Sequence, residues 1–360
     1  MKIAIVHDYL NQYGGAERVI ETLHEVYPDA PIFTSIFLPK NLPSVFSTFD
    51  IRPSFMQKFP FLDRHFKKYL LFYPYAIESF DLRGFDLVLS SSSAFAKGAQ
   101  VQKGTCHICY CYSPMRFTWE TNSYLAKEEF GRINRIILPW ALDRLKKWDI
   151  KTINRVDHYV AISQHIRQKI KKFYQRDADV IYPPVDISRF NLSETVDDYF
   201  LVVSRLNAYK RIDLVIDAFN QIRLPLTIIG TGPFRERLEQ KAGKNISFLG
   251  KVSQTELSRY LSRSRAFIFP GEEDFGIAPV EAMASGRPVI AYAKGGALET
   301  VLDGVTGLFF KDPTASSLIE AIDRFTNIEF DPVKIREHTL QFDKEIFKQK
   351  IRDYLKKRYE

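Results

Sequence analysis

The chain has 360 residues, of which 45% are hydrophobic, 26% charged and 14% aromatic. A chain of this length is expected to form two domains, each with a hydrophobic core of its own. The composition excludes an intrinsically disordered protein, and 17 glycines and 3 cysteines exclude collagen-like and disulfide-rich proteins. The formal net charge of +8 favours an anionic partner: a nucleic acid, a lipid surface or a phosphorylated substrate.

No run of apolar residues approaches the length needed to span a bilayer, and the N-terminus becomes polar too soon for a signal peptide. We therefore predict a cytoplasmic protein. The cysteines Cys106, Cys109 and Cys111 lie close together beside His107. In an extended segment Cys106 faces away from the other three side chains, so these residues cannot surround a tetrahedral metal ion. Free, buried thiols are predicted instead.

Short apolar strands alternate with helical stretches along the chain, which predicts α/β domains with parallel sheets. A helix is predicted at 16–26. Strands are predicted at 2–7, 86–90, 106–111 and 158–162 in the first half, and at 200–204, 226–230, 246–249, 266–269 and 289–291 in the second.

Two adjacent prolines within 180–190 interrupt this alternation and indicate a domain boundary. We predict an N-terminal domain at 1–185 and a C-terminal domain at 186–340. A terminal helix at 341–360 is predicted from apolar residues at helical spacing, namely Phe342, Ile346, Phe347, Ile351 and Leu355. Two doubly wound domains of this kind would bind ligands in a cleft at the carboxyl ends of their strands.

Two glycine loops follow predicted strands and precede predicted helices. Gly14 and Gly15 could expose backbone amides to an anion at the helix N-terminus. The alternative is that the turn needs glycine only for a positive φ. The later loop, with Gly230 and Gly232, is similar to a dinucleotide-binding fingerprint, but Arg235 stands in place of the third glycine, which makes a nicotinamide site a weak interpretation.

The segment 270–287 (PGEEDFGIAPVEAMASGR) is the most informative in the chain. A turn at Gly276 followed by a helix would aim the amides of Ile277 and Ala278 at a phosphate, with the helix dipole behind them. Glu281 could then accept hydrogen bonds from a ribose diol, and Glu273 from a sugar. The alternative is that both carboxylates only stabilise the helix N-terminus.

These motifs together resemble the retaining glycosyltransferases of family 4, over essentially the whole chain. The glutamate pair and EAMA match the signature of the family, and HDYLNQYGGAERV, SRLNAYKRIDLVIDAF, GTGP and GVTGLF match further motifs in order. The opening strand, TSIF and CYSPMRFTWE are especially similar to bacterial O-antigen and exopolysaccharide mannosyltransferases. The resemblance implies the GT-B fold, two Rossmann-like domains with a terminal helix that returns to the first.

The resemblance also implies roles for individual residues. Arg205 and Lys210 match the cations that hold the diphosphate of the donor and stabilise the leaving group without a metal. Glu281 and Glu273 match the ribose and donor-sugar ligands, and the loop of Gly14 and Gly15 approaches the donor phosphate and the acceptor. Tyr112 departs from the pattern, since many relatives have a histidine there. Tyrosine can hydrogen-bond a hydroxyl but cannot act as an imidazole base.

No metal or other cofactor is expected. Asp177 and Asp179 form an Asp-x-Asp pair, which in a different glycosyltransferase fold binds a metal, but such pairs are common by chance and this one precedes the domain boundary.

Positive charge is concentrated in the first half of the chain. The segment 132–176 has 12 basic and 3 acidic residues, and 51–75 has 5 basic and 1 acidic residue among 8 aromatics. An aromatic-basic helix there would suit an anionic membrane surface. The alternative is that the aromatics form core and the charges are merely solvated. A nucleic-acid partner is not expected, because no recognised binding motif accompanies the charge.

The sequence thus predicts a metal-independent, retaining glycosyltransferase of polysaccharide biosynthesis, peripheral on the cytoplasmic face of a membrane. The expected partners are a sugar nucleotide, first of all GDP-mannose, and a lipid-linked glycan acceptor. The alternatives are a UDP-sugar donor, a sugar-nucleotide epimerase of the same fold, and a non-catalytic membrane-associated scaffold.

Overall fold

The computed structural model of the chain describes residues 1–121 and 132–359, with the side chains of 132–137 left outside the description. The side chains of Arg132 and Arg135, two cations of the basic segment, therefore lie outside the described residues. The chain divides into two compact units. Unit 1 comprises Met1–Pro184 and Glu345–Glu360, and unit 2 comprises Val185–Lys344.

Unit 1 contains a sheet of seven parallel strands. The strands are β1 (Ile3–His7), β2 (Ile32–Thr34), β3 (Ile51–Pro53), β4 (Leu87–Ser92), β5 (Cys106–Cys111), β6 (His158–Ala161) and β7 (Ala178–Val180). Their order in the sheet is β3-β2-β1-β4-β5-β6-β7. All five residues of β1 are buried, as expected for a parallel strand covered on both faces.

The helices of unit 1 differ widely in length. They are α1 (Gly15–Val26), α2 (Leu62–His65), α3 (Tyr73–Glu78), α4 (Arg116–Trp119), α5 (Arg132–Thr152), α6 (Gln164–Tyr174) and α14 (Lys344–Tyr359), of which α14 enters the unit at Glu345. Short 3-10 turns at Phe55–Lys58, Phe66–Phe72 and Ala96–Gly98 complete the connections that matter below.

Unit 2 contains six parallel strands in the order β10-β9-β8-β11-β12-β13. They are β8 (Phe200–Val203), β9 (Leu226–Ile229), β10 (Ile246–Gly250), β11 (Phe267–Phe269), β12 (Val289–Tyr292) and β13 (Gly307–Phe310). The helices are α7 (Ile212–Ile222), α8 (Arg235–Lys241), α9 (Gln254–Arg263), α10 (Ile277–Ala284), α11 (Ala297–Thr300), α12 (Ala315–Phe325) and α13 (Pro332–Thr339).

The helix sequences explain which faces are buried. On α7 the buried residues recur at helical spacing and include Ile212, Val215, Ile216 and Phe219. The ring of Phe219 meets Phe200 of β8 edge-on, with ring centres 5.4 Å apart, in the core beside the sheet. The predicted class, α/β with parallel sheets, is thereby confirmed for both units.

The terminal helix begins later than its sequence pattern predicts. Residues Leu340–Phe342 form a 3-10 turn, and α14 starts at Lys344. Phe342 is the reason, because its buried ring packs in unit 2, 5.5 Å from the ring of Phe275. From Glu345 onward the helix belongs to unit 1, where Phe347 lies 5.7 Å from the ring of Tyr110.

The segment 51–75 does not form the single aromatic-basic helix that the sequence suggests. It is divided among β3, the 3-10 turns, α2 and the start of α3. Pro60 and Pro74 are the physical reason, since each removes a backbone donor and restricts the residue before it.

Among the described residues, no helix combines the length and the apolar character that a membrane span requires.

Candidate functional site

The strand order of unit 2 reverses between β8 and β11, which lie side by side at the centre of the sheet. Connections from these two strands run to opposite sides, so the loops at their carboxyl ends separate and leave room for a ligand. Arg205 and Lys210 follow β8, and Glu273 follows β11. Three of the predicted site residues therefore lie on the two loops that flank the reversal.

Lys210 and Glu273 form an ion pair, although they are 63 positions apart in the sequence. The two side chains are only 15% and 24% exposed, so water screens the pair less than it screens a surface pair. The Lys210 ammonium also lies 5.2 Å from the centre of the Tyr209 ring. Arg205, on the same loop, is exposed. The structure thus places a positioned cation against the carboxylate predicted to bind the donor sugar.

The N-terminus of α10 lies just beyond Glu273. Gly276 precedes the helix with φ +90° and supplies no side chain to cap it. A Cβ at this position would come within 2.9 Å of the Phe269 ring, so both the conformation and the packing require glycine. The amides of Ile277 and Ala278 open the helix at its positive end, where an anion is stabilised.

Glu281 lies in the second turn of α10 and is buried. Burial of a carboxylate is costly unless protein groups or a ligand satisfy it, so the side chain is held in place rather than solvated. Glu281 lies one turn beyond the amides of Ile277 and Ala278 that open the helix. The structure therefore puts Gly276, Ile277, Ala278 and Glu281 on one helix, next to the loop of Glu273.

Gly295 and Gly296 shape the same site, although they belong to none of the predicted motifs. The Gly296 amide donates a hydrogen bond to the Glu273 carbonyl over 2.8 Å. A Cβ on Gly295 would come within 2.3 Å of that carbonyl, and one on Gly296 within 2.3 Å of the Phe275 Cα. The available signal was a glycine pair in the loop that follows a predicted strand, β12. Without a side chain at either position, the loop after β12 can support the loop of Glu273.

The glycines of the GTGP motif have a packing role. A Cβ on Gly230 would come within 1.9 Å of the Ser204 carbonyl oxygen, and one on Gly232 within 2.5 Å of the Leu206 carbonyl oxygen. The loop after β9 thus rests on the loop that carries Arg205 and Lys210. Close backbone packing accounts for these glycines without a nicotinamide nucleotide.

In unit 1 the strand order reverses between β1 and β4, and Gly14 and Gly15 lie on the loop after β1. Gly14 has φ −148°, and Gly15 is also absent from the positive-φ region, so the explanation by a positive φ is wrong here. The Gly14 amide donates to the Glu17 carboxylate over 2.8 Å. The Glu17 carboxylate therefore already accepts the hydrogen bond of one of the two amides that were expected to bind an anion. Gly15 is the more exposed of the two glycines.

Tyr112 is tied to two other loops of unit 1. Its hydroxyl lies 2.7 Å from the Ser91 hydroxyl and donates to the Ala16 carbonyl over 3.3 Å. Ser91 in turn lies 3.0 Å from Nδ1 of His7. Burial raises the pKa of Tyr112 well above its ordinary value and lowers the pKa of His7. The one proton of the Tyr112 hydroxyl is engaged by Ala16 or Ser91, so this hydroxyl can offer a ligand only an acceptor.

Asp8 lies in the motif HDYLNQYGGAERV without a predicted role of its own, and it shapes unit 1. Its buried carboxylate accepts hydrogen bonds from the Ser93 hydroxyl and from four successive backbone amides, at 2.6–3.0 Å. The amides are those of Ser93, Ala94, Phe95 and Ala96. One carboxylate thus fixes the loop after β4 at the reversal point of unit 1. A charged residue that directly follows a buried strand was the available signal.

The other candidate metal ligands are engaged in structural contacts. Asp177 pairs with Lys171 at 2.8 Å, and Asp179 accepts from Tyr354 at 2.9 Å. His107 is buried between the Arg155 carbonyl and the Ser90 hydroxyl. The three cysteines are free, with Cys109 and Cys111 buried and Cys106 partly exposed, which corrects the expectation for Cys106. Within residues 1–121 and 132–359, no group of three or more acidic, histidine or cysteine side chains could hold a metal.

Comparison with known proteins assigns the family. The Glycosyltransferase Family 4 model matches residues 13–189, and the Glycosyl transferases group 1 model matches residues 186–342. The chain belongs to glycosyltransferase family 4. The two models together extend from the glycine loop of unit 1 through the glutamate segment of unit 2, so the resemblance expected from the sequence motifs is confirmed.

The curated relatives are distant and match the chain in part. An uncharacterized glycosyltransferase of Methanocaldococcus jannaschii is 29% identical over 57% of this chain and 59% of its own. Human alpha-1,3/1,6-mannosyltransferase ALG2 is 27% identical over 71% of this chain and 67% of its own. O-antigen chain mannosyltransferase C of Escherichia coli is 27% identical over 53% and 54%. The chain thus spans between about half and two thirds of the length of these relatives.

Solved structures agree over nearly the whole chain. A sucrose-phosphate synthase from Thermosynechococcus elongatus superposes with a TM-score of 0.77 at 17% identity, covering 99% of both chains. HepE from Anabaena, solved with UDP and glucose, gives a TM-score of 0.71 at 18% identity, also covering 99% of both chains. Likeness at this identity concerns the fold alone. The fold is GT-B, as the resemblance implied.

Proposed function

We propose that this family 4 chain is a glycosyltransferase that takes a hexose from a sugar nucleotide and transfers it to a glycan acceptor. The observation that carries the proposal is the Lys210–Glu273 ion pair at the strand reversal of unit 2, next to the N-terminus of α10, where Gly276 has no side chain. Unit 2 is the proposed sugar-nucleotide domain and unit 1 the proposed acceptor domain, which the terminal helix α14 completes from Glu345 onward.

The proposed roles follow from charge and position. Arg205 and Lys210 neutralise the negative charge that develops on the departing diphosphate, and the amides of Ile277 and Ala278 bind the same group. Two cations and a helix N-terminus supply this stabilisation without a metal, so none is part of the proposal. Glu281 binds the ribose diol, and Glu273 binds hydroxyls of the transferred sugar. In unit 1, Gly14, Gly15 and Tyr112 contact donor or acceptor.

The first candidate donor is GDP-mannose. It is supported by the names of the relatives, since ALG2 and the Escherichia coli protein are both mannosyltransferases. A UDP-sugar is the alternative donor, because the HepE structure of the same fold contains UDP and glucose. Retention of the anomeric configuration and a lipid-linked acceptor belong to the proposal through the family resemblance.

The donor is tested by an assay of sugar transfer and donor hydrolysis over a panel of GDP- and UDP-sugars, with and without EDTA. We expect turnover with GDP-mannose that EDTA leaves unchanged. Turnover with UDP-sugars alone would mean that the donor is a UDP-sugar and not GDP-mannose. Loss of activity with EDTA would overturn metal independence. If no sugar nucleotide of the panel is bound or turned over, the proposal of an enzyme is overturned and the non-catalytic scaffold is the remaining alternative.

Glu281→Ala tests the nucleotide site directly. Loss of a buried, charged hydrogen-bond partner costs about 1.5–3 kcal/mol, so we expect nucleotide affinity to fall by about ten- to 150-fold. Calorimetric titration with the preferred nucleoside diphosphate measures the change. The matched control is Glu320→Ala, on the exposed face of α12, which should leave the affinity unchanged. Equal affinity in the two variants would remove Glu281 from the nucleotide site.

A further inference from the structure

Unit 1 exposes several large aromatic side chains to solvent. Five of them, with exposed fractions of 42–70%, form what we call the aromatic face: Phe55, Phe61, Phe72, Tyr75 and Trp140. Among the described residues of unit 2, the large apolar side chains with comparable exposure are all aliphatic. Contiguous exposed apolar surface on a folded domain is typical of an interaction site rather than of ordinary solvent-facing surface.

Ring contacts join the first part of the aromatic face. Phe59 lies 5.8 Å from the ring of Phe55 and 5.3 Å from the ring of Phe72, and Tyr69 lies 6.4 Å from Phe72. Phe59 and Tyr69 are half-buried and pack on the core of unit 1. The Tyr69 hydroxyl donates to the Pro60 carbonyl over 2.9 Å, directly before Phe61. Phe55 and Phe72 therefore rest on half-buried rings, and Tyr69 holds the backbone next to Phe61.

The second part of the face comes from α5, about seventy positions later in the chain. Arg144 donates a hydrogen bond to the Tyr75 hydroxyl over 3.2 Å, and its guanidinium lies 5.9 Å from the Trp140 ring. Tyr75 and Arg144 belong to two separate basic segments of the sequence, 51–75 and 132–176. The tertiary structure joins these segments into one surface and adds Trp140 to it.

Phe61 has an unusual backbone conformation. Its φ of 52° lies in the left-handed region, which side chains other than glycine seldom adopt, and the Phe61 ring is 70% exposed. The next residue, Leu62, is buried and holds the turn that opens α2. A bulky ring in a strained position that burial does not compensate indicates that the ring serves contact with something outside the domain.

The same segments carry exposed positive charge. Lys58, Arg64 and Lys68 are exposed between Phe55 and Phe72, and Asp63 is the one acidic residue between positions 51 and 75. Aromatic rings favour the boundary between lipid headgroups and acyl chains, and neighbouring lysine and arginine side chains are attracted by anionic headgroups. The face thus combines the two features that hold a protein on an anionic bilayer.

We propose that the aromatic face docks unit 1 onto an anionic lipid surface, with its rings at headgroup level. The proposal does not depend on the donor or on the reaction. A symmetric contact with a second copy would bring the basic residues of two faces together, which like-charge repulsion disfavours. A bound glycan would need polar groups converging on a pocket, whereas three of the five rings are phenylalanines.

The first experiment measures sedimentation of the full chain with lipid vesicles. Vesicles of phosphatidylglycerol and phosphatidylcholine should bind the protein at low salt and release it at high salt, whereas phosphatidylcholine alone should bind weakly. The variant Phe61→Ser/Phe72→Ser should lower the partition coefficient by at least about tenfold, because two apolar anchors are lost. The control Leu298→Ser/Val333→Ser removes aliphatic side chains of unit 2 that are 57% and 53% exposed, and should bind normally.

The second experiment tests charge separately. Lys58→Glu/Lys68→Glu should reduce binding to phosphatidylglycerol vesicles at least as strongly as the aromatic variant, since each change reverses a charge near the lipid. The matched control is Lys311→Glu/Lys334→Glu, which reverses two exposed lysines of unit 2. Circular dichroism of each variant establishes that it is folded before binding is compared.

Tryptophan fluorescence locates the face at the bilayer. The chain has 3 tryptophans. Trp119 and Trp148 donate hydrogen bonds to Asp149 and Glu78 at 2.7 and 2.8 Å, while Trp140 is 58% exposed. We expect brominated lipids to quench Trp140 and vesicles to shift its emission to shorter wavelength. Trp140→Phe should abolish both effects while part of the binding remains.

Four outcomes would overturn the proposal: failure to bind anionic vesicles, equal binding to neutral vesicles, equal loss in the aromatic variant and its control, or quenching that persists in Trp140→Phe. Self-association that the Phe61→Ser/Phe72→Ser variant abolishes, without vesicle binding, would assign the face to a second copy. A Trp140 shift with soluble mannan but not with vesicles would assign it to a glycan. A chain without any transferase activity could still bind as proposed, so the two proposals fail independently.

Discussion

At the scale of single residues, the ion pair between Lys210 and Glu273 sets the electrostatics of the proposed donor site. Without a ligand, the Lys210 ammonium is neutralised by a carboxylate, and a diphosphate must compete with that carboxylate for the cation. The same carboxylate repels any anion that approaches Lys210. Glu273 therefore disfavours a nucleoside diphosphate without its sugar, while its proposed hydrogen bonds to the sugar favour the complete donor.

This competition predicts opposite effects of one substitution. Glu273→Gln keeps the shape of the side chain but removes its charge, so Lys210 becomes available to the diphosphate. Removing one negative charge close to the diphosphate should improve its binding free energy by roughly 1 kcal/mol. We therefore expect the nucleoside diphosphate to bind about fivefold more tightly. Sugar transfer should fall by at least about tenfold, because a charged hydrogen-bond acceptor for the sugar is lost.

Calorimetry with the preferred nucleoside diphosphate and a transfer assay measure the two effects. Asp213→Asn is the control, since Asp213, in the first turn of α7, pairs with Arg211 at 3.5 Å and both side chains are largely exposed. Weaker diphosphate binding by Glu273→Gln would contradict the competition, and unchanged transfer would contradict the role of Glu273 toward the sugar.

At the scale of elements, a buried ion pair joins four pieces of unit 1. Lys97, in the 3-10 turn after β4, is buried and donates to the Asp149 carboxylate over 3.1 Å and to Thr152 over 2.7 Å, both on α5. The Asp149 carboxylate also accepts from Trp119 of α4 at 2.7 Å and from Tyr174 of α6 at 3.3 Å. Every charge in this cluster has hydrogen-bond partners, so it fixes the mutual position of the elements.

Breaking this pair should destabilise the protein strongly. In Lys97→Met the Asp149 carboxylate loses its counter-ion while it remains buried, and we expect the free energy of unfolding to fall by about 3–5 kcal/mol. Urea unfolding followed by circular dichroism measures the change.

Lys171→Met is the matched control, because Lys171 forms an ion pair with Asp177 in the same unit, but at the surface. Loss of an exposed pair of this kind should cost less than about 1 kcal/mol. Equal destabilisation by the two variants would mean that the buried cluster contributes no more than a surface contact.

At the scale of the whole molecule, stability depends on pH through histidines that the fold keeps buried. His107 is enclosed in the unit 1 sheet, and burial lowers its pKa from about 6.5 to about 4. Burial lowers the pKa of His7 as well. The unfolded chain takes up protons on these rings in mildly acidic solution, whereas the folded chain does not, so acid favours unfolding.

The contribution of His107 is full above pH 6.5 and is lost as the pH falls from about 6.5 to about 4. In that interval it should lower the free energy of unfolding by about 3 kcal/mol. His107→Gln cannot titrate there. It should be less stable than the parent at neutral pH, because it disturbs the contacts with Ser90 and Arg155, but should lose correspondingly less stability on acidification. Urea unfolding at a series of pH values tests this; identical pH slopes would contradict the role of His107.

The pattern of the sequence predicted much of the sheet architecture, for a physical reason. Parallel strands covered on both faces appear as continuous apolar runs, which is why β5 is predicted with its observed bounds and β1, β4, β8 and β12 to within two residues at each end. The strands β2, β3 and β7 have three residues each. Unlike the equally short but wholly apolar β11 (FIF), which is predicted, each of these three strands contains a polar residue or a proline. They are strands because a neighbouring strand, remote in the sequence, supplies their hydrogen bonds.

For the candidate site, local sequence was informative wherever one element carries the residues. The glutamate segment predicted Gly276, Ile277, Ala278 and Glu281 on one turn and helix, and the structure has them there. The contact of Lys210 with Glu273 and the support of the Glu273 loop by Gly296 join residues far apart in the sequence. Their roles in catalysis and binding stay predictions.

The fold class, the family and the chemical types of the site residues could be predicted from the sequence, because they depend on local periodicity and on motifs within single segments. Which of those residues meet, and which side chains face solvent, depends on the tertiary structure. In the segment 51–75 the aromatic content alone distinguishes no ring from another, yet Tyr73 is buried in the core and Phe61 is 70% exposed. Burial is set by the packing of remote elements around a residue, which its own neighbours in the sequence do not specify.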